Sequence, residues 1–269
     1  MHWGYLAIGV FIGCYGTLVG VGGGFLLVPL LLILYPGIPP AAITATSLAV
    51  VCANTISGSI SYAVQRRIDY RSVFLFSLAT VPGAILGVLT IQFIPRKIFD
   101  FATGILLILM AIWLSIKREH SNKQCSSSNK IGKKRIIIPK NEEPVKYYVI
   151  ENTGIWCSVL IGFISTILGV GGGILHVQIM TCFLGFPPHF AAATSHPIIA
   201  IMTGIATFLH WKLGYLDSLA NILPWLTAGV LIGAPFGAVL SNKIHGKLLL
   251  QLLALVLSLT GIRLLFIQQ

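Results

Sequence analysis

The sequence predicts an all-α integral membrane protein built from two inverted-topology repeats, each of five hydrophobic segments, with broken or re-entrant helices at Gly-rich motifs. Three observations lead there. Charged residues make up only 9% of the 269 and hydrophobic residues 56%, with a mean hydropathy of +0.90; a soluble domain carries about 25% charged residues. One glycine pentapeptide occurs twice, as Gly20-Val21-Gly22-Gly23-Gly24 and as Gly169-Val170-Gly171-Gly172-Gly173. Further short matches follow both copies in the same order.

The first half has apolar segments at about 4–19, 25–35, 41–64, 71–94 and 98–116. The second has them at about 153–168, 174–184, 189–213, 218–241 and 246–266. Segments near 20 residues are long enough to cross the hydrocarbon core as helices. Segments 25–35 and 174–184 are too short to span about 30 Å at about 1.5 Å per residue. They read as half-helices or re-entrant pieces, a backbone tolerated at membrane depth only where protein buries it or water lines it. The first 20 residues lack a basic n-region and run directly into Gly-rich membrane sequence, so no cleavage of a leader is expected.

The halves match beyond the glycines. Ala45-Thr46-Ser47 recurs as Ala193-Thr194-Ser195, Pro39-Pro40 as Pro187-Pro188, Ile68-Asp69 as Leu216-Asp217, and Gly83-Ala84 with Gly87 as Gly233-Ala234 with Gly237. The offset stays between 148 and 150 residues. Ordered matches at nearly fixed offset indicate an internal duplication. The chain divides into a first membrane repeat (1–116), a basic linker (117–146) and a second repeat (147–269).

Net charge is +11, and nine of the 18 Lys and Arg residues fall between Lys117 and Lys146. Polar enough for a flexible loop, this stretch reads as a cytoplasmic connector obeying the positive-inside rule. Lipid-headgroup or nucleic-acid binding would be the alternative, but no aromatics are interleaved, and no nucleic-acid partner is expected. An odd number of crossings per half inverts the second half. Both termini then lie outside, with fourteen basic residues inside against four outside. The five cysteines, Cys14, Cys52, Cys125, Cys157 and Cys182, form no C-x-x-C pair and read as small packing residues.

Consecutive glycines inside an apolar run cost a helix roughly 1 kcal/mol each relative to Ala. They let the backbone leave helical geometry and expose unpaired N–H groups. Each break therefore offers the start of a helix, with its partial positive charge, to an anion. Candidate binding residues are Gly22, Gly23, Gly24, Thr46, Ser47 and Asn54 from the first half. From the second they are Gly171, Gly172, Gly173, Thr194, Ser195 and His196. The bland readings stay open: glycines that only allow close helix packing, hydroxyls that bond their own helix, and an Asn54 that bonds a neighbouring helix. His196 stands where the first half has Leu48, and His176 where it has Leu27. Both are candidates for proton coupling, with a hydrogen-bonded structural histidine as the competing reading. His210 is a weaker candidate. Carboxylates avoid the middles of the spans. A cation site is therefore not expected, and Asp69 and Asp217 read as helix caps or partners of Arg71 and Lys212. No metal or cofactor is expected, and no catalytic constellation appears at workable spacing, so an enzyme is not expected.

The paired G-V-G-G-G motifs, the A-T-S repeats and the central basic loop resemble the sulfite exporter TauE/SafE family, also called the toluene sulfonate uptake permease family. The resemblance covers nearly the whole chain. It implies an inner-membrane secondary transporter, an exporter by the family name, for sulfur-containing anions such as sulfite or organosulfonates. Such an anion would be held near the bilayer midplane between the two repeats. An anion channel, or a permease for sulfate, thiosulfate or a carboxylate, is the alternative. Expected partners are the small anion and the lipid bilayer, with homo-oligomerisation left open.

Overall fold

Apolar runs punctuated by Gly, Pro and short polar turns become helices almost where the punctuation falls. The computed structural model describes residues 2–120, 133–138 and 145–241, with Ser258 and Gly261. The helices are α1 (His2–Val19), α2 (Gly24–Leu34), α3 (Pro40–Val64), α4 (Tyr70–Ile91), α5 (Arg96–His120), α6 (Glu151–Ile167), α7 (Gly173–Cys182), α8 (Pro188–Lys212) and α9 (Leu223–Leu240). Four of them, α3, α4, α8 and α9, are long and apolar enough to cross a membrane. The protein is a multi-pass membrane protein. The predicted segment 246–266 lies outside the described residues apart from Ser258 and Gly261, which are helical; Gly261 abuts Gly104 of α5.

Proline begins α3 and α8 in the same way. Pro40 and Pro188 occupy the first helical position, where a missing N–H leaves no bond unmade. Asp69 caps α4 by accepting from the Ser72 amide at 3.3 Å. Asp217 does not cap α9 as expected. It lies in a short 3-10 turn (Asp217–Leu219), and α9 starts four residues later, with Pro224 in its first turn.

Helix pairing repeats when the halves are exchanged. α1 packs along α9, as α4 packs along α6, and α3 crosses α8. Both long pairs run on small residues: Gly13 faces Val230 and Gly233 and Gly237 face α1, while Gly83 and Gly87 face α6 and Gly162 faces Thr80. The duplicated Gly-Ala-x-x-Gly matches are therefore contact stripes, through which helix backbones approach where lipid supplies no hydrophobic drive. The outward faces remain apolar, with Ile60 and Val64 on α3, Phe74 and Leu78 on α4, Trp156 and Leu160 on α6, and Phe236 on α9 all exposed.

The central basic stretch departs from the expected flexible connector. Lys133–Ile137 (β1) and Val145–Val149 (β2) pair as an antiparallel hairpin, with Arg135 opposite Tyr147. Alternation explains it: Arg135, Ile137, Tyr147 and Val149 point to one face and are shielded there, while Ile136 and Ile138 are exposed. Arg135, not Arg71, is the cation beside Asp69; Arg71 reaches Glu151 at 3.6 Å, and Lys133 and Arg135 pair with Glu151 more closely from the hairpin.

Candidate functional site

The two glycine breaks meet in the interior. Gly20, Gly22 and Gly23 have φ of 84, 81 and 88°, and Gly169, Gly171 and Gly172 have 68, 78 and 77°. Three left-handed residues in five carry the chain out of one helix and into the next, a path open to glycine at little cost. Gly23 and Gly172 are the residues immediately before α2 and α7. Among the described residues, the amides of Gly23, Gly24, Gly172 and Gly173 have no hydrogen-bond acceptor.

The next residue of each break touches the other. A Cβ on Gly24 would lie 2.5 Å from the carbonyl oxygen of Val170, and a Cβ on Gly173 would overlap the carbonyl oxygen of Val21. Crossed hydroxyls reinforce the contact. Ser47 on α3 donates to the Gly169 carbonyl at 2.7 Å, and the Ser195 hydroxyl on α8 is shared between the Ala192 carbonyl of its own helix at 2.9 Å and the Gly20 carbonyl at 3.2 Å. Each A-T-S motif thus holds the break of the opposite half, and all four hydroxyls of Thr46, Ser47, Thr194 and Ser195 are buried.

The remaining candidates divide. Thr46 donates to Ala42 of its own helix at 2.9 Å. Thr194 accepts from the Asp69 amide at 3.1 Å, 125 residues away in sequence. Asn54 donates to the Gly22 carbonyl at 2.9 Å and accepts from Thr17 at 3.2 Å, while Tyr62 donates to the Thr17 carbonyl at 3.0 Å. This chain ties α3 and α1 to the first break. His196 bonds the Ala192 carbonyl through Nδ1 at 2.9 Å and meets the Tyr62 ring edge to face, 5.2 Å between centroids. Its Nε2 has no partner, and neither ring nitrogen of His176 has one, though both residues are buried. Both nitrogens of buried His210 are also without a hydrogen bond.

Sequence reasoning missed Ser165 and Thr166. Their hydroxyls are buried and unpartnered, and a Cβ on Gly172 would lie 2.8 Å from Ser165 Oγ. Ser165 and Gly172 line a small apolar cavity with Phe25, Leu107 and Met110. Buried polar atoms without partners are uncommon, and each one asks for an explanation. The one available signal was the duplication, which sets Ser165 against Gly16. Among the described residues, no three His, Cys, Asp or Glu side chains are grouped to hold a metal.

The model of one family, sulfite exporter TauE/SafE, matches residues 5–264. The chain belongs to the TauE/SafE family. Relatives of similar length extend over nearly the whole sequence. "Probable membrane transporter protein YunE" of Bacillus subtilis (strain 168) is 28% identical over 97% of this chain and 96% of its own length. "Probable membrane transporter protein YjnA" of the same organism is 25% identical over 96% of this chain and 98% of its own. A "probable membrane transporter protein" of Methanocaldococcus jannaschii is 27% identical over 96% of this chain and 92% of its own. No solved structure matches the chain. TauE/SafE proteins are membrane transporters, and in this member the two glycine breaks meet in the buried centre of the fold.

Proposed function

We propose that this chain is a secondary transporter of small sulfur-containing anions such as sulfite or organosulfonates, an exporter by the family description, held between two inverted repeats near the bilayer midplane. The observation that carries this reading is the meeting of two helix starts whose first amides are unbonded among the described residues, with no carboxylate among the described neighbours of these glycines. Unbonded amides at a helix start attract an anion through the N–H groups and the macrodipole together, without a buried cation. The partner exchange of α1 with α9 and α4 with α6 supports the repeat relation. Odd crossing numbers and the basic 117–146 stretch support inversion, with that stretch cytoplasmic and both termini outside the inner membrane.

In this reading the ligand contacts come from the amides of Gly23, Gly24, Gly172 and Gly173. Ser47 and Ser195 supply hydroxyls once they leave the opposite carbonyls, and His176 or His196 carries the coupled proton. Calorimetric binding of a panel (sulfite, sulfate, sulfoacetate, taurine, thiosulfate and lactate) to the purified protein tests it. Sulfite or an organosulfonate should bind ahead of lactate. Preference for lactate moves the assignment to carboxylates, and binding only of an uncharged solute or a cation ends the anion reading. Proton coupling is checked separately, since His196→Gln should flatten the pH dependence of uptake into proteoliposomes.

A further inference from the structure

The hairpin β1–β2 leads into α6, bonds the residue before α4 and the first residue of α6, and shares a buried cluster with α4, α7 and α8. Its apolar side, Ile137, Tyr147 and Val149, is buried in one cluster with Phe76 of α4, Met180 of α7, and Phe190 and Ile198 of α8. Tyr147 stacks on Phe186, between α7 and α8, at 4.9 Å between centroids, and donates to Asp69 Oδ2 at 3.0 Å. Burial and the Asp69 carboxylate push the Tyr147 phenol well above its ordinary pKa, with Arg135 opposing. That phenol keeps its proton and stays a donor to Asp69.

Charge fixes the rest. Arg135 stands between Asp69 at the start of α4 and Glu151 at the start of α6, and Lys133 reaches Glu151 at 2.6 Å. Two buried carboxylates at two helix starts thus share cations supplied by the hairpin. Removing Arg135 takes from both carboxylates a cation that they share. The hairpin also reports to the centre. Asp69, which it holds, donates its amide to Thr194, and the next residue, Ser195, holds the Gly20 carbonyl of the first break.

An open pair of strand edges has no place at hydrocarbon depth, so the hairpin lies at a mouth of the protein. Its counterpart elsewhere is different. The α2–α3 connection, which matches α7–α8 in the duplication, meets no strand pair among the described residues; Arg96 bonds the Leu32 and Ile38 carbonyls there.

We infer that the hairpin is a strap: it closes the path to the glycine breaks on its own face, and it must release Asp69 and Glu151 before that face opens. This rests on the breaks being the substrate path. The test reads accessibility and needs no substrate. In a background with all five native cysteines replaced, Ser195→Cys is the reporter, labelled with a membrane-impermeant maleimide in right-side-out and inside-out vesicles. Tyr147→Cys with Phe186→Cys, joined beforehand by a short bifunctional thiol reagent, locks the strap, and Arg135→Gln loosens it. Locking should cut labelling from the hairpin's face at least tenfold and leave labelling from the other face unchanged. Loosening should raise it several-fold. Arg135→Gln must remain monodisperse on size exclusion; if it does not, the reversible lock alone decides. Equal labelling with the strap free and locked overturns the strap while leaving the path intact. No labelling from either face in any variant overturns the path, and the strap with it.

Discussion

At the first glycine break the side chains of Asn54, Thr17 and Tyr62 are all partnered: Asn54 holds the Gly22 carbonyl, Thr17 bonds Asn54, and Tyr62 bonds the Thr17 carbonyl. At the second break three matching positions read differently. Met202 stands for Asn54, Ser165 for Gly16 and His176 for Leu27, while Thr166 keeps the threonine of Thr17. There the hydroxyls of Ser165 and Thr166 and both nitrogens of His176 are buried without a hydrogen bond. The backbone is shared and the surroundings are not. Around the first break these side chains bond one another and the backbone. Around the second, the hydroxyls and the ring make no such bonds, and each asks for an explanation.

Five substitutions sharpen or break this contrast, from the largest expected effect to the smallest. Gly24→Val and Gly173→Val each drive a side chain into the opposite break's backbone, so both should cost about 3 kcal/mol or more. The readout is the thermal unfolding temperature of purified protein. A mild effect at one site alone would show that the breaks do not bear on each other equally. Asn54→Met, which copies the second half into the first, strands the Thr17 hydroxyl and the Gly22 carbonyl. It should lower stability by about 1–3 kcal/mol. His176→Leu copies the first half into the second. Because it removes an unsatisfied buried ring, it should leave stability level or raised by about 1 kcal/mol, while anion binding by calorimetry weakens. Ser165→Ala removes only a hydroxyl, with a stability change under about 1 kcal/mol and anion affinity falling several-fold. If Ser165→Ala destabilises as much as Asn54→Met, the hydroxyl is structural and the contrast fails.

Much of this architecture could be read from the chain because membrane helices announce themselves. Glycine runs and prolines stop them, so helix starts at Gly24, Pro40, Gly173 and Pro188 fall within a residue of the apolar segments. The duplication also pointed to a pair of breaks, and the structure brings them together. What was illegible had no periodic signal. Lys133–Ile137 and Val145–Val149 are five-residue strands inside a basic, serine-containing stretch, where charge masks a period-2 pattern. The crossed bonds of Ser47 and Ser195 were half visible: the hydroxyls were evident, but their acceptors lie in the other half. Sequence leaves Thr46 and Asn54 open between a solute and the protein, and in the structure both donate to protein carbonyls. Ser165 resembles any small residue of a membrane helix until it is set beside Gly16.

The exchange of partners between halves has a consequence for how the chain is made. Among the described residues, α1 finds its main partner in α9, and α4 in α6. While ribosomes are still adding the second half, the first half carries two glycine-lined faces with nothing to cover them. Neither half is therefore a folding unit, and assembly waits for the last helices to enter the membrane. Produced alone, residues 1–116 should be degraded; produced together with a separate fragment 133–269, they should persist, because the missing surfaces arrive on the second chain.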